Sequence, residues 1–456
     1  MLLGKRFEAF VEDSPISVMV RGILERVFNP ENLDQVFEDN AVTQYTKELA
    51  FSQCVYMMSD VVTKVEPSVG AWYKSHAEEM TVTRQAVYDK LRHMELPVSA
   101  GLVRYSGHEL LDCLRAMNVK PRPLLPGYRV RVLDGNHLGG TEHRLGKLRS
   151  YRAAPLPGQA LVLYDPQFDV ATDVIPCEDA YAQERSLLGQ VLVLVTAQDL
   201  ILADRNFCTI GFLFGIHRRK AFFVIRQHGS LPWEPKGKRR LIGRDAKGRA
   251  IHEQAVVLAD PETGERLHAR RITIALDKPT KQGETEIHLL TNLPWKAADA
   301  LKVAELYGDR WTIEGAFLQL TVDLKCEIDT LGYPKAALFG FCLALMAYNI
   351  VSVVKGAIRA VWGADYLEDQ LSMYYLTLEV TQVTKGMLIA IPPKHWNDFR
   401  TMTVQEFAGT ILDLTRHMNT RKYTKSRRGP KKKPTAKISG KHNHHISTAR
   451  ILSARP

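Results

Sequence analysis

The sequence predicts an α/β protein in which a mixed sheet carries a mostly β insertion and is flanked by helical N- and C-terminal regions. Three observations support this. Between residues 129 and 227 the apolar pattern runs as three strands, a helix, a strand, a helix and a strand. From about His228 to Leu293 it breaks into short alternating runs separated by Gly229, Gly237, Gly243, Gly248, Gly264 and Gly283. Both ends of the chain keep helical spacing.

Composition sets the outer limits. A chain of 456 residues, 45% hydrophobic and 24% charged, has room for several domains and a large core. The net charge of +11 is concentrated at one end: residues 421–456 hold twelve Lys or Arg and no acid, leaving 49 basic against 50 acidic residues elsewhere. Such a tail is expected to be solvated and disordered, and to bind polyanions by counterion release. Cys54, Cys113, Cys177, Cys208, Cys326 and Cys342 include no C-x-x-C pair, which argues against a disulfide framework or a zinc knuckle and for a reducing cytoplasmic location. Met1 to Phe10 already carries Lys5, Arg6 and Glu8 and does not read as a signal peptide. The apolar run Ala336 to Val354 is interrupted by Gly340, Asn349 and Ser352, so it reads as a buried helix and no membrane partner is expected.

Residues 1–128 lack strand alternation and read as helical, with turns at Asp13-Ser14-Pro15 and Asn29-Pro30. Within them Thr81 to Glu95 has the pattern of a recognition helix: Thr83 as cap, Ala86, Val87 and Leu91 inward, and Arg84, Gln85, Tyr88, Lys90 and Arg92 outward. A plain amphipathic helix fits the same residues. Three prolines between Pro121 and Pro126 mark a linker. Strands follow from Arg129 to Asp134, from Gln159 to Tyr164 and from Asp169 to Pro176. Glu178 to Val195 reads as a helix, Leu200 to Ala203 as a buried strand ending at Asp204, Phe207 to Arg219 as a helix, and Ala221 to Arg226 as the fifth strand. This is the order of a ribonuclease H-like sheet, in which the first and fourth strands are neighbours. Asp134 and Asp204 would then meet although far apart in sequence, and two carboxylates so placed raise a pKa or recruit a cation.

The third acidic residue comes from Ala300 to Glu327. Val303, Leu306, Ile313, Phe317, Leu320 and Leu324 form an apolar helical stripe, while Tyr307, Arg310 and Glu314 line a second one at i, i+3 and i+7. A phenol, a guanidinium and a carboxylate in a row suit phosphodiester chemistry, with the guanidinium forking onto a phosphate. An exposed Arg–Glu pair at i, i+4 accounts for the same spacing.

Asp134, Asp204 and Glu314 together resemble the DDE triad of insertion-sequence transposases. The segment Y-x-x-R-x-x-x-E at Tyr307, Arg310 and Glu314 resembles the Y-R-E-K signature of the insertion-sequence "four" family, over roughly residues 129–355. The signature lysine is replaced by Thr321; the nearest lysine, Lys325, returns to a similar helical face about 16 Å along the axis. The resemblance implies a ribonuclease H-like core divided between residues 129–227 and 296–355, a β-rich insertion at 228–295, a DNA-end-binding helical region at 1–128, a C-terminal helical region at 356–420 and a basic tail at 421–456. It implies two Mg2+ ions, with Mn2+ as the alternative, on Asp134, Asp204 and Glu314, and Tyr307, Arg310 and Lys325 on DNA. A flipped base would stack on Trp233 or Trp295. The expected activity is cleavage at element ends followed by strand transfer into target DNA by two paired copies. A metal-dependent endonuclease without strand transfer and a catalytically lapsed DNA-binding protein are the rivals.

Overall fold

The computed structural model describes residues 4–44, 48–119, 124–140, 149–150, 156–280, 282–318, 320 and 331–426. Thr321, Leu324, Lys325 and the tail from residue 427 therefore lie outside the described residues.

Among the described residues ten strands form one sheet in the order β3-β2-β1-β4-β5-β10-β9-β8-β6, with β7 pairing on β8. β1 (Arg129–His137), β2 (Gln159–Asp165) and β3 (Val170–Cys177) are antiparallel neighbours. β4 (Asp199–Ala203) joins β1 in parallel, and β5 (Phe222–Arg226) joins β4 in parallel. This is the ribonuclease H-like arrangement. The insertion strands β6 (Glu234–Pro235), β7 (Arg240–Arg244), β8 (Ala250–Ala259), β9 (Arg266–Ala275) and β10 (Glu286–Thr291) do not build a separate layer. Instead β10 pairs antiparallel with β5 and continues the same sheet.

Alternation along the strands divides the core into two. Val130 and Val132 of β1 join one apolar cluster and Leu133 the other, as period-two geometry requires. Arg131 breaks the apolar pattern at 3% exposure, and its charge is matched by Asp173 at 3.0 Å and Asp199 at 3.5 Å. One face is covered by α8 (Leu188–Leu194) and α9 (Ile210–Arg218), through Leu188, Val191, Phe212 and Ile216. Only a 3-10 turn at Glu184–Leu187 precedes α8, so the helix expected from Glu178 is shorter than its apolar spacing suggested.

The other face packs on helices from both ends of the chain. The N-terminal set is α1 (Glu8–Asp13), α2 (Pro15–Val27), α3 (Pro30–Asn40), α4 (Phe51–Val62), α5 (Val69–Ser75), α6 (Arg84–Arg92) and α7 (Leu96–Ala116). Later come α10 (Ala300–Gly308), α11 (Thr312–Leu318) and α12 (Pro334–Trp362), then α13 (Met373–Ala390), α14 (Asp398–Thr401) and α15 (Val404–Arg416). The apolar α12 is the hub, touching α2, α4, α6, α7, α15 and β3. It is long and apolar enough to cross a membrane by length alone, yet 83% of its most apolar window is buried inside the protein. Asn349, which interrupted its apolar run, accepts from Ala171 N and donates to Ala171 O, both at 2.8 Å, and so satisfies the outer edge of β3.

The segment Thr81 to Glu95 does form a helix, with Thr83 Oγ1 accepting from Ala86 N at 3.2 Å. Val87 and Leu91 are buried as expected, but Ala86 faces solvent because only the i, i+4 pair reaches the body. Arg84, Gln85, Tyr88 and Arg92 are exposed. The stretch from Ala300 is not one helix either: a 3-10 turn at Asp309–Trp311 separates α10 from α11.

Candidate active site

Register alone brings the two aspartates side by side. The parallel pairing of β1 with β4 ends at Leu133↔Ala203, so the next residue on each strand is Asp134 and Asp204. Strands in a sheet lie about 4.8 Å apart, which sets the scale of that separation. Leu133 and Ala203 belong to the core beneath α8 and α9, so the side chains one residue on project towards the opposite face, where α11 meets β1. β1 itself runs on past Asp134 to His137, paired there only with β2. Asp134 Oδ1 accepts from Gly135 N at 3.0 Å, and Asp204 Oδ1 accepts from Asn206 N at 2.7 Å as the chain turns after β4.

Arg310 closes the site from the turn between α10 and α11. Its Nη1 lies 3.2 Å from Asp134 Oδ2 and its Nη2 lies 2.9 Å from Glu314 Oε1, so one guanidinium bridges two of the three carboxylates. The Arg310 side chain is 9% exposed, Asp134 18% and Glu314 52%. Arg310 Nε is buried and has no hydrogen-bond partner among the described residues. The Cζ sits 5.9 Å from the ring of Tyr307 and 5.2 Å from that of Trp311. Burial, reinforced by the charges of Asp204 and Glu314, pushes Asp134 up to about 6 despite Arg310 and the Gly135 N–H. Burial likewise raises the Tyr307 phenol, against the pull of Arg310 and Arg226.

The expected second stripe is therefore not an exposed row. Tyr307 is 4% exposed and Arg310 is held on the triad, while Glu314 alone of the three reaches solvent. The competing reading of an ordinary surface ion pair fails at Arg310, whose other nitrogen reaches across to β1. Of the two tryptophans considered for base stacking, Trp295 is 64% exposed, whereas Trp233 is half-buried with the Arg271 guanidinium 4.7 Å from its ring. Trp311 was not singled out in the sequence although it follows Arg310 directly. Glu184 was also missed: its carboxylate lies near Asn206 Nδ2, at 3.5 Å, and its pKa is raised by burial and then by Asp204.

The donor set fits a hard divalent cation, being all carboxylate oxygen. Among the described residues no three His, Cys, Asp or Glu side chains stand close enough to share an ion. In this structure Arg310 supplies the positive charge between Asp134 and Glu314.

Comparison with known proteins gives the setting. Residues 125–350 match the family described as "Transposase DDE domain". "Putative transposase y4zB" of Sinorhizobium fredii is 26% identical over 194 residues, which is 42% of this chain. The match spans about half, 52%, of that relative's length. Among solved structures, the cryo-EM structure of the piggyBac transposase synaptic complex with hairpin DNA aligns at a TM-score of 0.42 and 9% identity, covering 86% of each chain. The segment that holds Asp134, Asp204, Tyr307, Arg310 and Glu314, residues 125–350 of this chain, belongs to the transposase DDE domain family.

Proposed function

We propose that the chain is a DNA transposase of the insertion-sequence "four" type, cutting element ends by hydrolysis and joining the freed 3'-hydroxyl to target DNA. The observation that supports this most is the convergence of Asp134 and Asp204, by strand register, with Glu314, through the shared Arg310. Asp134, Asp204 and Glu314 would hold Mg2+ or Mn2+, which supplies charge stabilisation and an activated oxygen nucleophile for in-line displacement at phosphorus.

The protein's own part is positioning. Arg310, held between Asp134 and Glu314, supplies the planar guanidinium that would fork onto the phosphate. Tyr307 backs that guanidinium, and the half-exposed Trp311 offers a ring at the mouth of the site. α6, with Arg84, Gln85 and Tyr88 exposed, is the element of the N-terminal region best placed to read element ends, and two copies would pair two ends. Lys325 is assigned to DNA on the sequence resemblance alone.

The test is incubation of the purified chain and Mg2+ with a 3'-OH element end and a supercoiled plasmid. Joined product that disappears in Asp134→Asn, Asp204→Asn and Glu314→Gln supports the reading. Cut but unjoined ends would convert it to an endonuclease, and DNA binding without either product would leave only a DNA-binding protein.

A further inference from the structure

We propose that Glu284, at the tip of the β9–β10 turn of the insertion, is a positioning residue that holds Arg226 and Arg205 off Asp204 and so keeps that carboxylate open to a divalent cation. The inference rests on the metal-dependent reading of Asp134, Asp204 and Glu314 given above. Strand register sets up the conflict that Glu284 resolves. The parallel pairing of β4 with β5 ends at Ala203↔Ile225, so the next residues, Asp204 and Arg226, stand beside each other as Asp134 and Asp204 do. Ile225 shares the core cluster of Leu133 and Ala203, so Arg226 projects towards the opposite face, where α10 packs on β5. Burial raises the Tyr307 phenol there, and the charges of Arg226 and Asp204 act on it with opposite sign, so the three side chains share one space. Arg205 is the chain neighbour of Asp204. Opposite charges at such spacings attract each other. Yet among the described residues Asp204 forms no ion pair, whereas Asp134 and Glu314 both hold Arg310.

Both arginines are turned to the insertion instead. Arg226 Nη2 donates to Glu284 Oε2, and Arg205 Nη1 lies 3.4 Å from Glu284 Oε1. Gln282 Oε1 accepts from Arg205 Nη2 at 2.5 Å. The turn is built to present the Glu284 carboxylate. Gly283 takes a φ of +82°, Thr280 N donates to Glu284 O at 2.9 Å, and Thr280 Oγ1 donates to Glu284 Oε2 at 3.1 Å. The Arg226 side chain is only 21% exposed, and a guanidinium so enclosed needs a carboxylate partner. Without Glu284, the one that register sets beside it is Asp204. Arg226 would then occupy the cation's place at Asp204 as Arg310 does at Asp134.

The experiment is a Mn2+ titration of the full chain without DNA, following free ion by electron paramagnetic resonance, with Tm measured in parallel. The proteins are wild type, Glu284→Ala, the double variant Glu284→Ala with Arg226→Gln, and Asp204→Asn. Glu284→Ala should bind Mn2+ roughly tenfold more weakly, the effect of one competing charge-assisted bond. Adding Arg226→Gln should return binding to within about twofold of wild type. That rescue separates positioning from a merely structural role, because a turn damaged by the loss of Glu284 is not repaired by a second substitution on β5. Wild-type affinity in Glu284→Ala, or a loss that Arg226→Gln does not reverse, overturns the proposal, and weakened binding in Asp204→Asn then leaves the three-carboxylate site intact. If Asp204→Asn binds Mn2+ as wild type does, the site reading fails and this inference with it. Should Glu284→Ala unfold, Glu284→Gln removes the charge at nearly the same shape and goes through the same comparison, with the same results supporting or refuting.

Discussion

Replacing Arg310 by glutamine separates the ion-pair role that the guanidinium has in the structure from the phosphate-binding role proposed for it. In the protein alone Arg310 acts as an internal cation, bonded to Asp134 at 3.2 Å and Glu314 at 2.9 Å. A charge-assisted hydrogen bond nets about 1.5–3 kcal/mol when partly buried. The bond to Asp134 falls in that range, whereas the bond to the half-exposed Glu314 is discounted to under about 1 kcal/mol for solvent screening. An incoming divalent ion must displace both, a cost of roughly 2–4 kcal/mol. Arg310→Gln removes that competitor, so Mn2+ affinity without DNA should rise by roughly 30- to 700-fold, at about 1.4 kcal/mol per factor of ten. DNA cleavage should fall in the same variant, because the phosphate loses its forked donor. The assay is a Mn2+ titration of wild type and variant, with Tm measured in parallel. Weaker or unchanged Mn2+ binding by Arg310→Gln would refute the reasoning and mean that Arg310 holds the carboxylates in a metal-ready geometry.

Other perturbations test other parts. Tyr423 is 1% exposed, so the basic tail should be cut after Ser426 and not before the buried tyrosine. Deleting residues 427–456 should reduce the salt slope of DNA binding by about 0.9 for each phosphate that the tail neutralises, read from binding isotherms at several salt concentrations. Asn349→Leu strands the N–H and C=O of Ala171 and should cost roughly 2–4 kcal/mol in urea denaturation. Burial would raise Glu95, but bonds from Thr43 and the backbone N–H groups of Val42, Thr43 and Gln44 hold it at about 2. A depressed carboxylate contributes stability above its unfolded value that disappears as pH falls through the folded one. Glu95→Gln should therefore cost roughly 2 kcal/mol at pH 7, and the gap from wild type should close between about pH 4.5 and pH 2.

Local pattern carried a large part of this molecule. The alternation of Arg129 to Asp134, the apolar run Leu200 to Ala203 and the glycine-punctuated runs after His228 each appear as the strands expected, because period-two burial is written residue by residue. Tyr307, Arg310 and Glu314 were legible as a group because their spacing puts them close on one short stretch. Where local spacing was ambiguous, boundaries shifted: the helix expected from Glu178 is preceded by a 3-10 turn at Glu184–Leu187 and begins only at Leu188, and the stretch from Ala300 is broken at Asp309.

Pairing between distant segments decided the rest. That the insertion would extend the main sheet through β10 on β5, and that both helical ends would share α12 as a core, depends on which apolar faces meet, and no single segment's period records its partner. The same holds within the site. The sequence singled out Asp134, Asp204 and Glu314 as the candidate acidic group. Only the folded chain placed Arg310 between two of them and brought Glu184 over Gly135, because charge pairing acts through space and a carboxylate's neighbours are set by packing.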